Sequence, residues 1–404
     1  MRSLQNMPPP SGKNSPYDIF PCAMRILLAS SSSGSRGGGE IFLLYLGEAL
    51  RMRGHVVGLW ASTHPKMDEL AARFRDIGDV VRTGYTNTYD RWDRGAFQVP
   101  GRHAARALAE AWMSWRPDLV HLNKQNLEDA PDFLAAAPLL PVPHVCTIHI
   151  TQTAAFLRAR FAWWRDLAAR RALRHYRGPL IAVADTRGRE LRAFVGNSKD
   201  VRVVLNGIHP MNPTGVSRAQ LRAGQGIAED DFAVAALGRL ESQKQPLRFL
   251  AHAAEIRRLE PHAIFHWLGA GRMDADWDRE VQRLGLGVAA KRCGWSPDAQ
   301  GKLPAYDLFL HTAGYEGLPL ALLEAMDAGL ACAVESGVYG QLPVALQHCA
   351  ICIDNSTDWR RLLSDRVSLS RLGAKAQTLV RNEFSTATMA RAYEEIYSSL
   401  RPVP

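Results

Sequence analysis

The chain has 404 residues, 47% hydrophobic and 22% charged, with a formal net charge of +9. That length exceeds what one hydrophobic core serves, and the composition is ordinary for a globular protein, so two domains are expected. No apolar run approaches the roughly 20 residues of a membrane span, which excludes a transmembrane helix. The opening residues lack the basic, apolar, small-residue order of a secretory signal, so the expected location is the cytoplasm.

Residues 1–23 are rich in Pro, Ser and Asn and show no periodicity, so they read as a disordered leader or a misassigned start ahead of Met24. From there, short runs rich in Val, Ile and Leu recur at 24–30, 55–62, 118–123, 144–150, 180–185 and 201–208. None alternates strictly, which suits strands buried on both faces of a parallel sheet. Segments with helical spacing, such as 39–53 and 103–115, separate them. Residues 24–211 therefore read as a doubly wound α/β domain. After a polar stretch around 211–220 the pattern restarts at 232–239, 263–271, 291–295, 306–314, 330–335 and 350–354, giving a second α/β domain over 212–384. Residues 385–404 hold a terminal helix, over 386–400, with no strand after it, expected to pack back on the first domain. Two such domains face each other across a cleft at the carboxyl ends of their strands, where ligands of open sheets bind.

The charge points to an anionic partner: nucleic acid, a phosphorylated metabolite or an acidic membrane surface. Arginine carries most of it, since lysine occurs only eight times; genomic composition also accounts for part of that bias. Cys349 and Cys352 form a C-x-x-C, but in a strand positions i and i+3 face opposite sides, and no second pair lies nearby. Buried packing is the expectation rather than a metal or redox site.

Three loops carry the chemistry. The first, SSSGSRGGGE at 31–40, puts consecutive glycines before a helix. Gly38 and Gly39 let backbone amides approach a phosphate or carboxylate, although a tight strand-to-helix turn accounts for them as readily. Neither the dinucleotide fingerprint nor the P-loop spacing is present. The second, GRLESQKQP, carries Arg239 and Lys244 at the end of the first strand of the second domain. Arginine's planar fork and lysine's point charge suit a diphosphate; the alternative is two solvated surface charges.

The third is GYEGLPLALLEAMDAG at 314–329. Pro319 fits a first helical turn and Gly329 a C-terminal stop, so the amides of Gly317, Leu318, Pro319 and Leu320 are read as the positive tip of a helix. Glu316 stands ahead of that tip, placed to accept from hydroxyls of whatever the phosphate carries. Glu324 follows one turn beyond Leu320 on the same face, within reach of a second polyol. A sugar, a diphosphate and a ribose fill this order.

These residues, with His149 at a strand end, NGI at 206–208 and LGAG at 268–271, resemble glycosyltransferase family 4. That resemblance implies retaining, nucleotide-sugar-dependent enzymes of the GT-B fold in bacterial polysaccharide or glycolipid biosynthesis. It implies that Arg239 and Lys244 hold the donor diphosphate. It gives Glu324 the ribose, and Glu316 with the 317–320 amides the transferred sugar. Gly38 and Gly39 would border the leaving phosphate, His149 would lie beside the reacting sugar, and Gly269, Gly271 and Trp295 would lie near the base. No metal or other cofactor is implied, since cations and a helix tip take that part. The resemblance departs at His209, where the family often has Asp, and at GVYGQLP (337–343), which replaces Gly-Gly-x-x-Glu at the donor pocket's edge.

Asp274 and Asp276 mimic a D-x-D metal motif but open a helical pattern, where capping is the expectation. The segment 156–177 holds seven arginines and one aspartate. Leu157, Phe161, Trp164, Ala168 and Ala172 share one helical stripe, a pattern that suits either packing on the sheet or lying on an anionic membrane. The expected partners are thus a nucleotide-sugar donor and a saccharide or lipid-linked acceptor, with no nucleic acid. A nucleotide-sugar epimerase and a non-catalytic nucleotide-sugar binder are the alternatives.

Overall fold

The computed structural model describes residues 23–91, 102–211 and 215–400. Residues 1–22, on which the leader expectation falls, lie outside the described residues. The first lobe carries strands β1 (Arg25–Ser30), β2 (Val56–Ser62), β3 (Asp79–Thr83), β4 (Leu119–Asn126), β5 (His144–Ile150), β6 (Leu180–Ala182) and β7 (Val201–Val203). The second carries β8 (Phe232–Leu237), β9 (Ala263–Leu268), β10 (Ala290–Arg292), β11 (Leu308–His311), β12 (Ala331–Glu335) and β13 (Ile351–Ile353). Each lobe is one parallel sheet, ordered β3-β2-β1-β4-β5-β6-β7 and β10-β9-β8-β11-β12-β13.

Burial on both faces explains why the strand sequences lack alternation. In β1, Ile26 and Leu28 enter the core under the helix Gly38–Met52, while Leu27 and Ala29 enter the core on the opposite face. β3 escapes notice in the sequence because DVVRT is a short, half-exposed edge strand. The runs at 180–185 and 201–208 yield only three-residue strands. Their remainders leave the sheet as helix start and interlobe crossing.

The chain crosses between lobes twice, and the two crossings pair side by side. Ile208 N donates to Phe384 O at 2.9 Å, and Thr386 N donates to Ile208 O at 3.0 Å. A Cβ on Gly207 would stand 2.3 Å from Ser385 O, so only glycine admits this approach.

After the second crossing, the helix Thr386–Ser399 lies against the helix Gly38–Met52 of the first lobe. Tyr397 Oη meets His121 Nδ1 at 2.7 Å, and Tyr393 Oη meets Thr147 Oγ1 at 2.9 Å. Glu394 accepts from Arg53 Nε at 2.7 Å and lies 2.9 Å from His55 Nε2, all three side chains buried. Burial pushes the Glu394 carboxyl up, but the hydrogen bonds from His55 and Arg53 outweigh it and hold the pKa below its usual value. Its stabilisation is therefore present above the unfolded carboxylate pKa and is lost as pH falls through the folded one. Glu394→Ala strands a buried guanidinium and should cost about 3–5 kcal/mol, read as a lower urea midpoint. An unchanged midpoint would show that this buried ion pair adds nothing to stability.

Candidate functional site

Strand order reverses between β1 and β4 and between β8 and β11, and open sheets bind ligands at such points. In the first lobe β1 leads through residues 31–37 into the helix Gly38–Met52. A Cβ on Gly39 would stand 2.3 Å from the Gln125 amide, whereas one on Gly38 would meet open space. Asn123, in β4, donates from Nδ2 to Gly39 O at 3.2 Å, and its Oδ1 lies 2.7 Å from His149 Nε2. A carbonyl oxygen only accepts, so the amide orientation is fixed and His149 carries its proton on Nε2. Burial pushes the imidazole down to about 4, leaving it neutral near pH 7 with Nδ1 as its acceptor nitrogen.

In the second lobe the loop after β8 is stitched to the loop after β11. Gly314 N donates to Gln243 O at 2.8 Å, Gln243 Nε2 to Tyr315 O at 3.2 Å, and Thr312 Oγ1 to Lys244 O at 3.0 Å. This stitching brings Lys244 Nζ into direct contact with Glu316 Oε1. Arg239 stays at the exposed edge, its Nη2 3.5 Å from Gln243 Oε1. His311 Nε2 lies 3.7 Å from Glu316, and burial pushes that imidazole down to about 4 as well. The two residues assigned in the sequence to separate parts of the donor thus form one ion pair in the resting protein.

The lobes meet beside that pair. A Cβ on Gly317 would stand 2.3 Å from His149 O and 3.0 Å from Val183 Cγ2. Leu318 O accepts from Asn206 Nδ2 at 2.9 Å. The helix runs Leu320–Asp327 with Pro319 as its N-cap, one residue later than the sequence implies, and Gly329 follows at φ +80°. Proline has no N–H, so the first-turn donors of this helix are Leu320 and Ala321, Gly317 and Leu318 precede the helix, and the Pro319 side chain caps nothing. Glu324 is buried, which pushes its carboxyl pKa up, and accepts from Tyr45 Oη at 2.8 Å. Tyr45 belongs to the first-lobe helix, a partner that local spacing gives no means of finding.

Gly269 and Gly271 are required by backbone: Cβ atoms there would stand 2.0 Å from Gly238 O and 2.2 Å from Leu240 O. Trp295 lies beneath the Arg36 guanidinium, 3.9 Å from its ring centre, and Arg36 also pairs with Glu69 at 2.7 Å. At GVYGQLP, Gln341 Oε1 accepts from Nη2 of the fully buried Arg187, whose Nη1 lies 2.9 Å from Glu190. His209 stands 3.1 Å from Glu48 and 3.1 Å from Thr386 Oγ1.

Asp274 and Asp276 sit in a first helical turn but do not cap it. They pair with Arg292 and Arg279. Cys349 is buried and Cys352 exposed, so the second is not the packing residue the sequence implies.

Residues 36–211 match the family model described as Glycosyltransferase Family 4, and residues 217–367 match Glycosyl transferases group 1. The chain belongs to the family 4 glycosyltransferases. This glycosyltransferase superposes over 93% of its length on all of Anabaena HepE, solved with UDP-glucose, at TM-score 0.73 and 18% identity. It also superposes on a glycosyltransferase from Rickettsia africae, covering 94% of this chain and 98% of that one, at TM-score 0.68 and 14% identity. The fold is GT-B.

Among curated relatives, it is similar to the Escherichia coli UDP-Gal:alpha-D-GlcNAc-diphosphoundecaprenol alpha-1,3-galactosyltransferase. Identity is 34% over 114 residues, 28% of this chain and 30% of that protein. It is also 24% identical to the lipopolysaccharide core biosynthesis glycosyltransferase LpsD of Rhizobium meliloti, over 50% of this chain and 59% of LpsD. The glycosyltransferase therefore matches less than two thirds of the length of these curated relatives. None of its described helices is long and apolar enough to cross a membrane.

Proposed function

We propose that the enzyme moves a sugar from a UDP- or GDP-sugar to a carbohydrate or lipid-linked saccharide acceptor, with retention and without a metal, in cell-surface polysaccharide assembly. The observation that carries this is the Lys244–Glu316 pair beside the uncapped tip of the helix Leu320–Asp327. The diphosphate takes over Lys244, with Arg239 closing from the exposed edge. Glu316, released, accepts from hydroxyls of the sugar, and Glu324 takes the ribose in place of Tyr45.

The anomeric C1–O bond to the β-phosphate then breaks. The acceptor oxygen bonds C1 on the same face, and its proton passes to the departing phosphate oxygen. Lys244, Arg239 and the helix tip stabilise the charge that develops on that diphosphate. His149, neutral, lies on the first-lobe side of the sugar as a hydrogen-bond partner, not as a cation.

The UDP-glucose complex of HepE and the UDP-Gal donor named for the Escherichia coli relative support a nucleotide-sugar donor. The relatives' names likewise support a lipid-linked acceptor. The test begins with thermal shifts in UDP, GDP and ADP, since a ligand at 100 times its Kd stabilises by about 2.7 kcal/mol. The matching sugar nucleotides are then tried with lipid-linked saccharides in EDTA. A product with the donor's anomeric configuration is expected. Isomerised donor without acceptor would identify an epimerase, and binding without turnover a sensor.

A further inference from the structure

The helix Ala162–His175 buries Arg165, Ala169 and Leu173, not the stripe the sequence implies. Buried Arg165 pairs with Glu128. The opposite face therefore points outward and carries Trp163 and Leu167 one turn apart, while beside them Arg170 lies over the Phe194 ring at 5.0 Å and Arg174 Nε donates to Val195 O at 2.7 Å. Trp163 is 70% exposed, Leu167 50% and neighbouring Trp164 40%. The preceding turn adds Phe156 and Phe161, both more than half exposed, and the exposed Arg158 and Arg160. Arg171 and Arg177 are exposed as well.

Two features show that the turn is built to present these groups. Phe161 and Arg158 hold left-handed backbone, φ +56° and +51°, which side chains other than glycine seldom adopt. Asp166, the sole carboxylate of segment 156–177, is taken up by the preceding turn, accepting from Ala154 N at 2.7 Å and Ala155 N at 3.0 Å. The outer face is thus left with arginines and bulky apolar groups. It borders the site: the turn follows β5, which carries His149, and the Phe156 ring meets that of Tyr315, next to Glu316, edge-on at 6.3 Å.

A face mixing arginines with exposed tryptophan, phenylalanine and leucine fits an interface of phosphate headgroups above acyl chains. The rings enter the boundary while the guanidinium groups meet anionic headgroups. A protein groove would leave arginines at this density without carboxylate partners from the same face. We propose that this face seats the enzyme on an anionic lipid bilayer, with the cleft mouth opening beside the surface. Its use in delivering a lipid-linked acceptor rests on the proposed function; the docking itself does not.

The test is co-sedimentation of the full chain with vesicles, at low and high salt. Binding to phosphatidylcholine vesicles containing phosphatidylglycerol is expected, at least tenfold tighter than to phosphatidylcholine alone and weakened by salt. Each arginine lost from such a surface lowers binding roughly fivefold, so Arg158→Glu with Arg171→Glu should abolish it. Trp163→Ser with Leu167→Ser should weaken it tenfold or more. Val288→Ser, which removes a fully exposed apolar group elsewhere, should leave it unchanged.

All of these positions are exposed, and a retained urea midpoint confirms folding. No binding to phosphatidylglycerol vesicles at low salt would overturn the proposal. So would equal binding by all variants, or capture by a soluble acidic polysaccharide in place of vesicles. Binding is read without turnover, so it stands or falls separately from the glycosyl-transfer reading.

Discussion

Lys244→Ala is expected to lower turnover by ~10²-fold or more while the chain still folds, with a lower urea midpoint because a largely buried ion pair is broken. The direction of its effect on binding distinguishes the proposed exchange from a merely structural ion pair. In the resting protein Lys244 is engaged by Glu316, with His311, neutral at pH 7, 3.7 Å away and the buried Arg187 also within electrostatic reach of Glu316. Removing Lys244 leaves a mostly buried carboxylate facing the place where a diphosphate must settle. UDP or GDP should then bind more weakly.

Glu316→Ala does the opposite, leaving Lys244 without its contact carboxylate, with Glu324 still acting on it from beyond contact distance. Nucleoside diphosphate should bind as well or better, although turnover also falls ~10²-fold because the sugar loses its acceptor. In the loaded enzyme Lys244 holds the diphosphate and Glu316 the sugar, so the double variant should turn over more slowly than either single variant, while its nucleotide affinity should lie between theirs. The measurements are nucleotide affinity by calorimetry and turnover by product formation. Parallel losses of affinity in both single variants, or a double variant no slower than either single one, would remove the exchange from the mechanism.

The sequence disclosed those parts of the site that lie close together along the chain. The apolar runs mark the sheets because strands buried on both faces admit little else. Glu316, the Gly-Leu-Pro turn and Glu324 sit in one continuous segment, so their order along a helix start is readable without a structure. Tyr45, Asn123 and Arg187 were not legible. Each acts on a group far away in the chain: Tyr45 on Glu324, Asn123 on His149, Arg187 on Gln341. Nothing in their local spacing distinguishes them from packing residues.

The segment 156–177 failed differently. Several stripes of its helix were compatible with burial. Buried Arg165, paired with Glu128, places an arginine on the inner face, where composition alone predicts an apolar residue.

A second large effect is expected from one added carbon. The lobes are held at the cleft floor by Tyr45 to Glu324, Asn206 to Leu318 O, and Met211 N to Asp327 Oδ2 at 2.5 Å. His149 O closes against Gly317 at the same place. A methyl group there would lie 2.3 Å from a backbone oxygen, which cannot swing aside as a side chain would. Either the His149 end of β5 or the Glu316 loop must yield by about an ångström, and misplacement of that size costs ~10²-fold in rate. Overpacking of this kind costs about 1–3 kcal/mol in stability, so Gly317→Ala should fold and still lose nearly all turnover. Gly224→Ala, whose added carbon meets nothing within 4 Å, should behave as the parent in turnover and be no less stable. Full activity in Gly317→Ala would mean that the working enzyme never brings His149 and Glu316 as close as the resting structure does, and His149 would then have no place beside the sugar.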